Sequence, residues 1–104
     1  MVDVVRFSTF DRWLRKLKDR RAAARVLVRI QRLAVGNPGD VKPVGGGISE
    51  LRIDFGPGSR VYYLHEGDRM ILLLCGGDKS SQSADIATAH EIARQWRTNQ
   101  GGEL

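Results

Sequence analysis

The sequence predicts a small single-domain α+β protein with the element order β-α-α-β-β-β-α. Three observations carry this prediction. Two stretches near the N-terminus repeat apolar residues at helical spacing, three later stretches have strand character, and short glycine-containing turns join those three. Short turns favour an antiparallel meander, and helices packed against one sheet complete the fold. We place the domain at residues 1–99 and expect a frayed tail at 100–104.

The N-terminal third predicts a strand followed by two helices. Residues 3–7 have strand character, and Ser8 is placed to cap the first helix. Asp19 is placed to cap a second helix over residues 20–35, which Gly36 ends. The first helix carries an apolar stripe of Phe10, Trp13, Leu14 and Leu17. The second has an apolar face of Ala23, Val26, Leu27, Ile30, Leu33 and Ala34, and a basic face of Arg21, Arg25, Arg29 and Arg32.

Strand periodicity follows in the next part of the chain. Apolar and polar residues alternate over 50–55, which is typical of a strand with one buried face. Residues 60–66 predict the next strand, and the apolar run 70–75 suits a central strand covered on both faces. The last helix has Ser81 or Ser83 as its cap and an apolar face of Ile86, Ala89, Ala93 and Trp96.

Length and composition exclude several classes of protein. The chain has 104 residues and one cysteine, which excludes an internal disulfide framework. Because the chain has only one cysteine and two histidines, a structural zinc site is disfavoured. No apolar run approaches the ~18 residues of a membrane helix, and residues 1–10 lack the pattern of a signal peptide. We therefore expect a small basic cytoplasmic domain with no membrane, metal or small-molecule cofactor.

The positive charge is concentrated at the N-terminus. The chain has a net charge of +5, whereas ten basic and three acidic side chains give residues 1–35 a charge of +7. A localised basic surface favours a polyanion or an acidic protein as partner, although an ordinary solvated helix face has the same pattern. The charge thus indicates that a partner would be negatively charged, and it leaves the identity of that partner open.

Four side chains of the predicted meander are candidates for phosphate chemistry. If consecutive strands pair, one concave side of the sheet carries Arg52, Arg60, Tyr62 and Lys79. Several cations around one phosphodiester position it and stabilise the extra charge of a pentacoordinate transition state. Such a site allows a ribose 2′-OH to attack the adjacent phosphate without a metal ion. Solvated basic residues have the same spacing, so both interpretations stay open.

Other candidate residues carry weaker signals. His65 is a candidate acid or base, since imidazole titrates near neutral pH. Cys75 ends the most apolar strand, which predicts an inert buried thiol. Residues 76–81 superficially resemble a phosphate loop but lack the glycine that precedes lysine in a Walker A motif. This segment is either a single-phosphate site that uses Lys79 and backbone N–H groups or a tight turn capped by Asp78 and Ser81.

A set of segments, in this order, closely resembles the RelE/ParE superfamily of toxins: FDRWL (10–14), GNPGD (36–40), GGGISELRI (45–53), GPGSRVYY (56–63) and LLLCGGDKSSQ (72–82). The nearest branch is the HigB-like addiction module killer proteins, and the resemblance runs from about Phe7 to Trp96. It implies a compact α+β toxin of a type II toxin–antitoxin pair. It also implies an antitoxin encoded beside it, in this branch often a small helix-turn-helix protein.

The resemblance further implies roles for individual residues. Arg60 matches the arginine that stabilises charge at the phosphate in RelE-like nucleases, while Arg52 and Lys79 match neighbouring basic positions. Ser59 stands where relatives usually carry an aromatic residue. The final helix has no tyrosine near Asp85, where some of these nucleases place a catalytic one. A nuclease of this sequence would therefore need a substitute for that tyrosine, with Tyr62, His65 and Gln82 as the candidates.

The predicted function is a toxin that inhibits translation by ribosome-dependent mRNA cleavage through 2′-OH attack. The predicted catalytic residues are Arg52, Arg60, Lys79, Tyr62 and His65, and the predicted RNA-binding residues are Arg21, Arg25, Arg29, Arg32 and Gln82. Many members of the superfamily cleave mRNA in the ribosomal A site, whereas the ParE branch poisons DNA gyrase. The alternatives are therefore a ParE-like toxin without catalysis and an inactive module that only binds the antitoxin.

Overall fold

A computed structural model of the protein describes the backbone of residues 2–102 and the side chains of residues 2–99. The elements in chain order are β1 (Asp3–Arg6), α1 (Ser8–Lys16), α2 (Arg20–Ala34), β2 (Val41–Pro43), β3 (Ile48–Ile53), β4 (Ser59–Glu66), β5 (Met70–Gly77), a 3-10 turn (Lys79–Ser81) and α3 (Gln82–Gly102). The α+β class is confirmed, with β2 as an additional strand. Helix α3 continues into the segment predicted to fray, of which Glu103 and Leu104 lie outside the described residues.

The five strands form one sheet in the order β1-β5-β4-β3-β2. Strands β3, β4 and β5 pair antiparallel in succession, which confirms the meander, and β2 pairs antiparallel with β3. Strand β1 pairs in parallel with β5. The apolar strand β5 therefore lies between two neighbours with residues 71–75 buried, as the sequence predicts. Among the described residues, no helix has both the length and the apolar character needed to span a bilayer.

Helices cover both faces of the sheet. Helices α1 and α2 pack on one face in a cluster that contains Phe10, Val26 and Leu51. Helix α3 packs on the other face, where Ala89 meets a cluster that contains Ile48, Tyr62 and Leu64. The prediction that the strand over residues 50–55 buries only one face was wrong. Helix α3 packs over the face that carries the polar residues of this strand. Glu50, one of those polar residues, is fully buried there.

Both ends of α2 are closed as the sequence predicts. The Asp19 side chain caps the N-terminus by accepting the Arg21 N–H at 2.9 Å. At the C-terminus, Gly36 has a φ of +86° and its N–H bonds back into the last turn of the helix. A residue with a side chain would be strained in this left-handed conformation, so glycine is favoured at position 36. Leu27 departs from its predicted place on the apolar face and is 40% exposed.

Two predicted helix caps were wrong. Ser8 is the first residue of α1, and the extended residue before it, Phe7, occupies the cap position without a side-chain hydrogen bond. Phe7 is held there because its N–H donates to the Leu73 carbonyl at 3.0 Å and continues the pairing of β1 with β5. Neither Ser81 nor Ser83 caps α3 directly. The 3-10 turn before α3 is instead capped by Asp78, and Ser81 completes that capping box.

Candidate functional site

A polar cleft of ≈ 360 Å³ lies at the end of the sheet where β3 turns into β4. Three cations line it, together with two carboxylates, the end of β3 and the following loop: Arg52, Arg60, Lys79, Asp40, Asp54, Ile53 and residues 56–59. The structure therefore brings together the three cations that the sequence analysis assigned to one phosphodiester. The cations that line the cleft outnumber its lining carboxylates by one.

Strand register creates this convergence. Arg52 on β3 lies directly opposite Arg60 on β4, and Arg60 in turn pairs with Gly77 at the end of β5. Lys79 follows two residues later in the 3-10 turn, which leaves it exposed at the mouth of the cleft. Like charges that face each other on adjacent strands destabilise the pair. The juxtaposed arginines therefore require a compensating anion.

That anion is Glu50, a carboxylate with no solvent exposure. Its Oε1 accepts the Arg52 Nε–H at 3.0 Å and lies 3.6 Å from the Arg60 Nε. Its Oε2 accepts the Tyr62 hydroxyl at 2.9 Å and the Gln82 amide at 2.8 Å. Burial by itself raises the pKa of Glu50, but the hydrogen bonds and the charge of Arg60 outweigh it, so the pKa lies below its usual value. Glu50 is thus a charged group at neutral pH.

Glu50 was not predicted as part of the site, although the strand pattern contains one signal for it. Residues i and i+2 of a strand share a face, which places Glu50 beside Arg52 and Tyr62 beside Arg60. The pattern does not predict the strand register that sets Glu50 opposite Tyr62. It also does not predict that α3 packs over this pair and brings Gln82 to Glu50.

Two predicted catalytic residues lie outside the cleft, so their assignment to it is corrected. Tyr62 shares a face with Arg60 but is fully buried, with its hydroxyl bound to Glu50. Burial, and then this hydrogen bond, raise the pKa of Tyr62 well above its usual value. His65 is exposed and packs edge-on against Tyr63. His65 lies five residues after Arg60, about 16 Å along the strand. Because side chains alternate between the two faces of a sheet, it points to the opposite face.

The segment after β5 is a capped turn, which is one of the two alternatives that the sequence left open. The Asp78 carboxylate accepts the Ser80 N–H at 2.9 Å, and the Ser81 hydroxyl accepts the Asp78 N–H at 3.3 Å. These amides are occupied within the turn, so they do not form a phosphate loop. A Cβ at Gly77 would overlap the Asp85 side chain where α3 approaches β5, so a larger residue there would require that side chain to shift.

Arg29, predicted to bind RNA, is bound instead to the protein backbone. Its Nη1 donates to the Arg52 carbonyl at 2.6 Å, and its Nη2 donates to the carbonyls of Pro38 at 2.7 Å and Asp40 at 3.3 Å. These contacts tie α2 to the segment that enters β2 and to the backbone beneath the cleft. Arg29 therefore makes a structural contact, and its predicted role in RNA binding stays a prediction.

The other arginines of α2 have looser contacts. The Arg21 and Arg25 guanidinium groups lie over the Phe55 ring, with 5.7 Å and 4.7 Å to its centroid. The Arg32 side chain is exposed and makes no hydrogen bond or ion pair to the described residues. A groove of ≈ 420 Å³ runs along this helix and shares Ile53 and Asp54 with the cleft. It is lined by Arg25, Val28, Arg29, Arg32, Ile53 and Asp54.

Two further residues are engaged inside the molecule. Gln82, predicted to bind RNA, begins α3 and directs its amide inward to Glu50. Cys75 is buried, and its thiol donates to the Asp85 carbonyl at 3.4 Å. The prediction of a buried thiol is confirmed, and burial raises the pKa of Cys75 to about 12. Within residues 2–99, no group of three or more His, Cys, Asp or Glu side chains is arranged to hold a metal ion.

Comparisons with known proteins cover most of this structure. The family described as Phage derived protein Gp49-like (DUF891) matches residues 12–97, a span that includes the cleft and all strands from β2 to β5. A protein of Haemophilus influenzae, described as an uncharacterized protein, is 53% identical over 87 residues. That alignment covers 84% of this chain and 88% of the relative.

Proposed function

This chain belongs to the Gp49-like family of phage-derived proteins, a RelE/HigB-like toxin family in general, and we propose that it is the toxin of a type II toxin–antitoxin pair. In this proposal the toxin inhibits translation by cutting mRNA on the ribosome, as many members of the RelE/ParE superfamily do. The proposed partners are the ribosome with its mRNA and an antitoxin, a helix-turn-helix protein encoded beside the toxin. The proposed site of action is the cytoplasm.

The observation that carries this proposal is the cleft lined by Arg52, Arg60 and Lys79. In the proposed reaction, the 2′-oxygen of a ribose attacks the adjacent phosphorus and expels the 5′-oxygen of the next nucleotide. The products are a 2′,3′-cyclic phosphate and a 5′-hydroxyl. The three cations stabilise the additional negative charge of the pentacoordinate transition state. Since the nucleophile is a hydroxyl of the substrate itself, the reaction needs no metal-bound hydroxide.

Proton transfer in this reaction is assigned to groups that line the cleft. The side chains of Asp40 and Asp54 are the described carboxylates at its surface, and either accepts the proton of the 2′-hydroxyl directly or through water. Lys79 is the described ammonium group there and is the proposed donor to the leaving 5′-oxygen. Tyr62 and His65 are not assigned this role, because neither reaches the cleft.

The groove along α2 is proposed to hold the phosphates that flank the scissile one. It joins the cleft at Ile53 and Asp54 and carries the exposed guanidinium of Arg32. Arg21 and Arg25 add positive potential to the same surface while they cover Phe55. Contacts of this kind position an RNA strand without reading its bases.

Induction in a bacterial host without the antitoxin, followed by mapping of RNA 5′ ends, tests the proposal. Lys79→Ala is the sharpest variant, since the Lys79 side chain makes no hydrogen bond or ion pair to the described residues, and its loss removes both a positive charge and the proposed proton donor from the cleft. Arg69→Ala removes an exposed cation at the opposite end of the sheet and is the matched control. We expect new mRNA ends within translated codons for the wild type and Arg69→Ala, and few for Lys79→Ala. Full toxicity of the wild type without new ends would overturn the proposed reaction.

A second candidate is a ParE-like toxin that binds DNA gyrase without catalysis. It is favoured by the position of Tyr62 and His65, which leaves the cleft without a tyrosine or histidine for proton transfer among the described residues. In that case induction would cause DNA breaks and gyrase–DNA adducts while mRNA stays intact. Harmless induction would indicate the third alternative, a module that only binds the antitoxin.

A further inference from the structure

We propose that Glu50 is a positioning residue, which holds the guanidinium groups of Arg52 and Arg60 side by side so that both face one phosphate. The inference rests on the proposed function of the cleft. Facing arginines on adjacent strands repel each other and, without a partner, would turn their side chains apart. Glu50 is the buried anion that lies next to both of them.

The geometry of the contacts supports this role. Glu50 approaches each guanidinium from its Nε edge, at 3.0 Å for Arg52 and 3.6 Å for Arg60. In the described part of the chain, the Nη groups of both arginines make no hydrogen bond to protein. The inner edge of each group is therefore directed to Glu50 and the outer end is left for a ligand in the cleft. A planar guanidinium presents its Nη donors in a fixed fork, which matches phosphate oxygens.

Glu50 is itself fixed from two other elements of the fold. The Tyr62 hydroxyl from β4 and the Gln82 amide from α3 both donate to Oε2, so Oε1 is held in place for the arginines. Each carboxylate oxygen is thereby engaged. Burial raises the pKa of Glu50, but the hydrogen bonds from Arg52, Gln82 and Tyr62 and the charge of Arg60 outweigh it and lower the pKa. A group with a lowered pKa and occupied oxygens is poorly suited to remove a proton from a 2′-hydroxyl. Glu50 therefore contributes to the proposed reaction by positioning Arg52 and Arg60.

Arg52 and Arg60 differ in how tightly Glu50 holds them. The Arg52 Nε–H makes a hydrogen bond with Oε1, and this side chain is 35% exposed. The Arg60 Nε is buried without a hydrogen-bond partner, and its side chain is 16% exposed. Arg60 is thus attracted to Glu50 by charge alone, whereas Arg52 is also fixed by a hydrogen bond.

Side-chain NMR of the whole protein tests the positioning directly, without any RNA. In the wild type, we expect the Arg52 Nε–H signal to be protected from exchange with water. Glu50→Gln keeps the shape of the side chain but removes its charge, and should accelerate that exchange about tenfold or more. Gln82→Ala, at the start of α3, loosens Oε2 and provides a second variant in case Glu50→Gln does not fold. Glu66→Gln, an exposed carboxylate at the far end of β4, is the control and should leave the signal unchanged.

Single-turnover cleavage on programmed ribosomes then tests the consequence. Glu50→Gln should lower the cleavage rate about 10²-fold, with a smaller change in KM, because the substrate still binds but its phosphate is misplaced. In the background of Arg52→Gln and Arg60→Gln, the same substitution should cause no further loss. Wild-type cleavage by Glu50→Gln, or equal Arg52 exchange in both proteins, would overturn the positioning role. Protected Arg52 in a wild type that cuts no RNA would support the positioning and overturn the proposed reaction instead.

Discussion

The arginines of α2 and the arginines of β3 and β4 make contacts of different kinds. Arg29 of α2 donates three hydrogen bonds to backbone carbonyls, and Arg25 lies over an aromatic ring. Arg52 and Arg60 instead face a buried carboxylate through their Nε edges and leave their Nη groups to a cleft. One set connects α2 to neighbouring elements, and the other lines the cleft.

This difference shows that the local density of arginine does not predict which arginines line the cleft. The N-terminal third carries most of the positive charge, yet Arg29 there is bound to the protein and stabilises it. Arg52 and Arg60 lie in a part of the chain without a basic excess, and their role follows from what holds them. The relevant distinction is between donors bound by protein and donors left for a ligand.

The largest expected effect is on catalysis by the strand arginines. Arg60→Gln should lower single-turnover mRNA cleavage by about 10²–10³-fold, because it removes a donor aimed at the transition-state charge. Arg69→Gln removes an exposed arginine outside the cleft and should cleave at the wild-type rate. Thermal unfolding of both variants would check that their folds are intact. Equal rates for the two variants would contradict the assignment of Arg60.

The next effect is on stability and concerns α2. Arg29→Ala should lower the free energy of unfolding by about 2–3 kcal/mol, since it removes charge-assisted hydrogen bonds to three carbonyls. Arg32→Ala, on the same helix but exposed, should change it by less than about 0.5 kcal/mol. Urea unfolding monitored by circular dichroism measures both. Similar losses for both variants would show that Arg29 does not connect α2 to the sheet.

A smaller and pH-dependent effect separates the two sets of arginines. The pKa of Glu50 is lowered from its usual 4.5, so its charge contributes stability above that value and is lost as the pH falls through the lowered pKa. Below pH 4.5 the unfolding free energy of the wild type should therefore decline more steeply than that of Glu50→Gln. Arg29 is held by carbonyls, which do not titrate, so Arg29→Ala should keep the wild-type pH dependence. Denaturant titrations between pH 7 and 3 test this, and parallel profiles for wild type and Glu50→Gln would contradict it.

The smallest expected effect belongs to Arg32. Arg32→Gln should weaken binding of a single-stranded RNA oligonucleotide and reduce the slope of log K against log salt by about 0.7, the value for one phosphate contact on a single strand. The cleavage rate at saturating substrate should stay unchanged, because Arg32 lies in the groove and not in the cleft. An unchanged salt slope would indicate that this arginine is simply solvated.

Local features of the fold could be predicted because their causes lie within a few residues. The cap by Asp19 and the end of α2 at Gly36 each depend on contacts within about one turn of chain. The capped turn from Asp78 to Ser81 is equally local, and it was one of two alternatives that the sequence left open. Strand β2 was missed because three residues are too few to show an alternation. The convergence of Arg52 and Arg60 followed from strand periodicity and the assumption that consecutive strands pair.

The rest of the site depended on contacts that no local pattern contains. Tyr62 and Gln82 donate to Glu50 across 12 and 32 residues, and Arg29 reaches Arg52 across 23. His65 has a suitable side chain, but its odd separation from Arg60 directs it to the other face. A polar residue in an alternating strand gives no sign that a distant helix will cover it.

The sequence by itself determined the α+β class, the meander, most helix boundaries and the three cations that were expected at one phosphate. These follow from short-range periodicity, capping and turn chemistry. Only the tertiary structure decided that α3 covers the second face of the sheet, that Glu50 is buried between two arginines, and that Arg29 is bound to the backbone. The physical reason is that burial and long-range hydrogen bonds depend on how separate elements pack, and that packing is not encoded in any one segment.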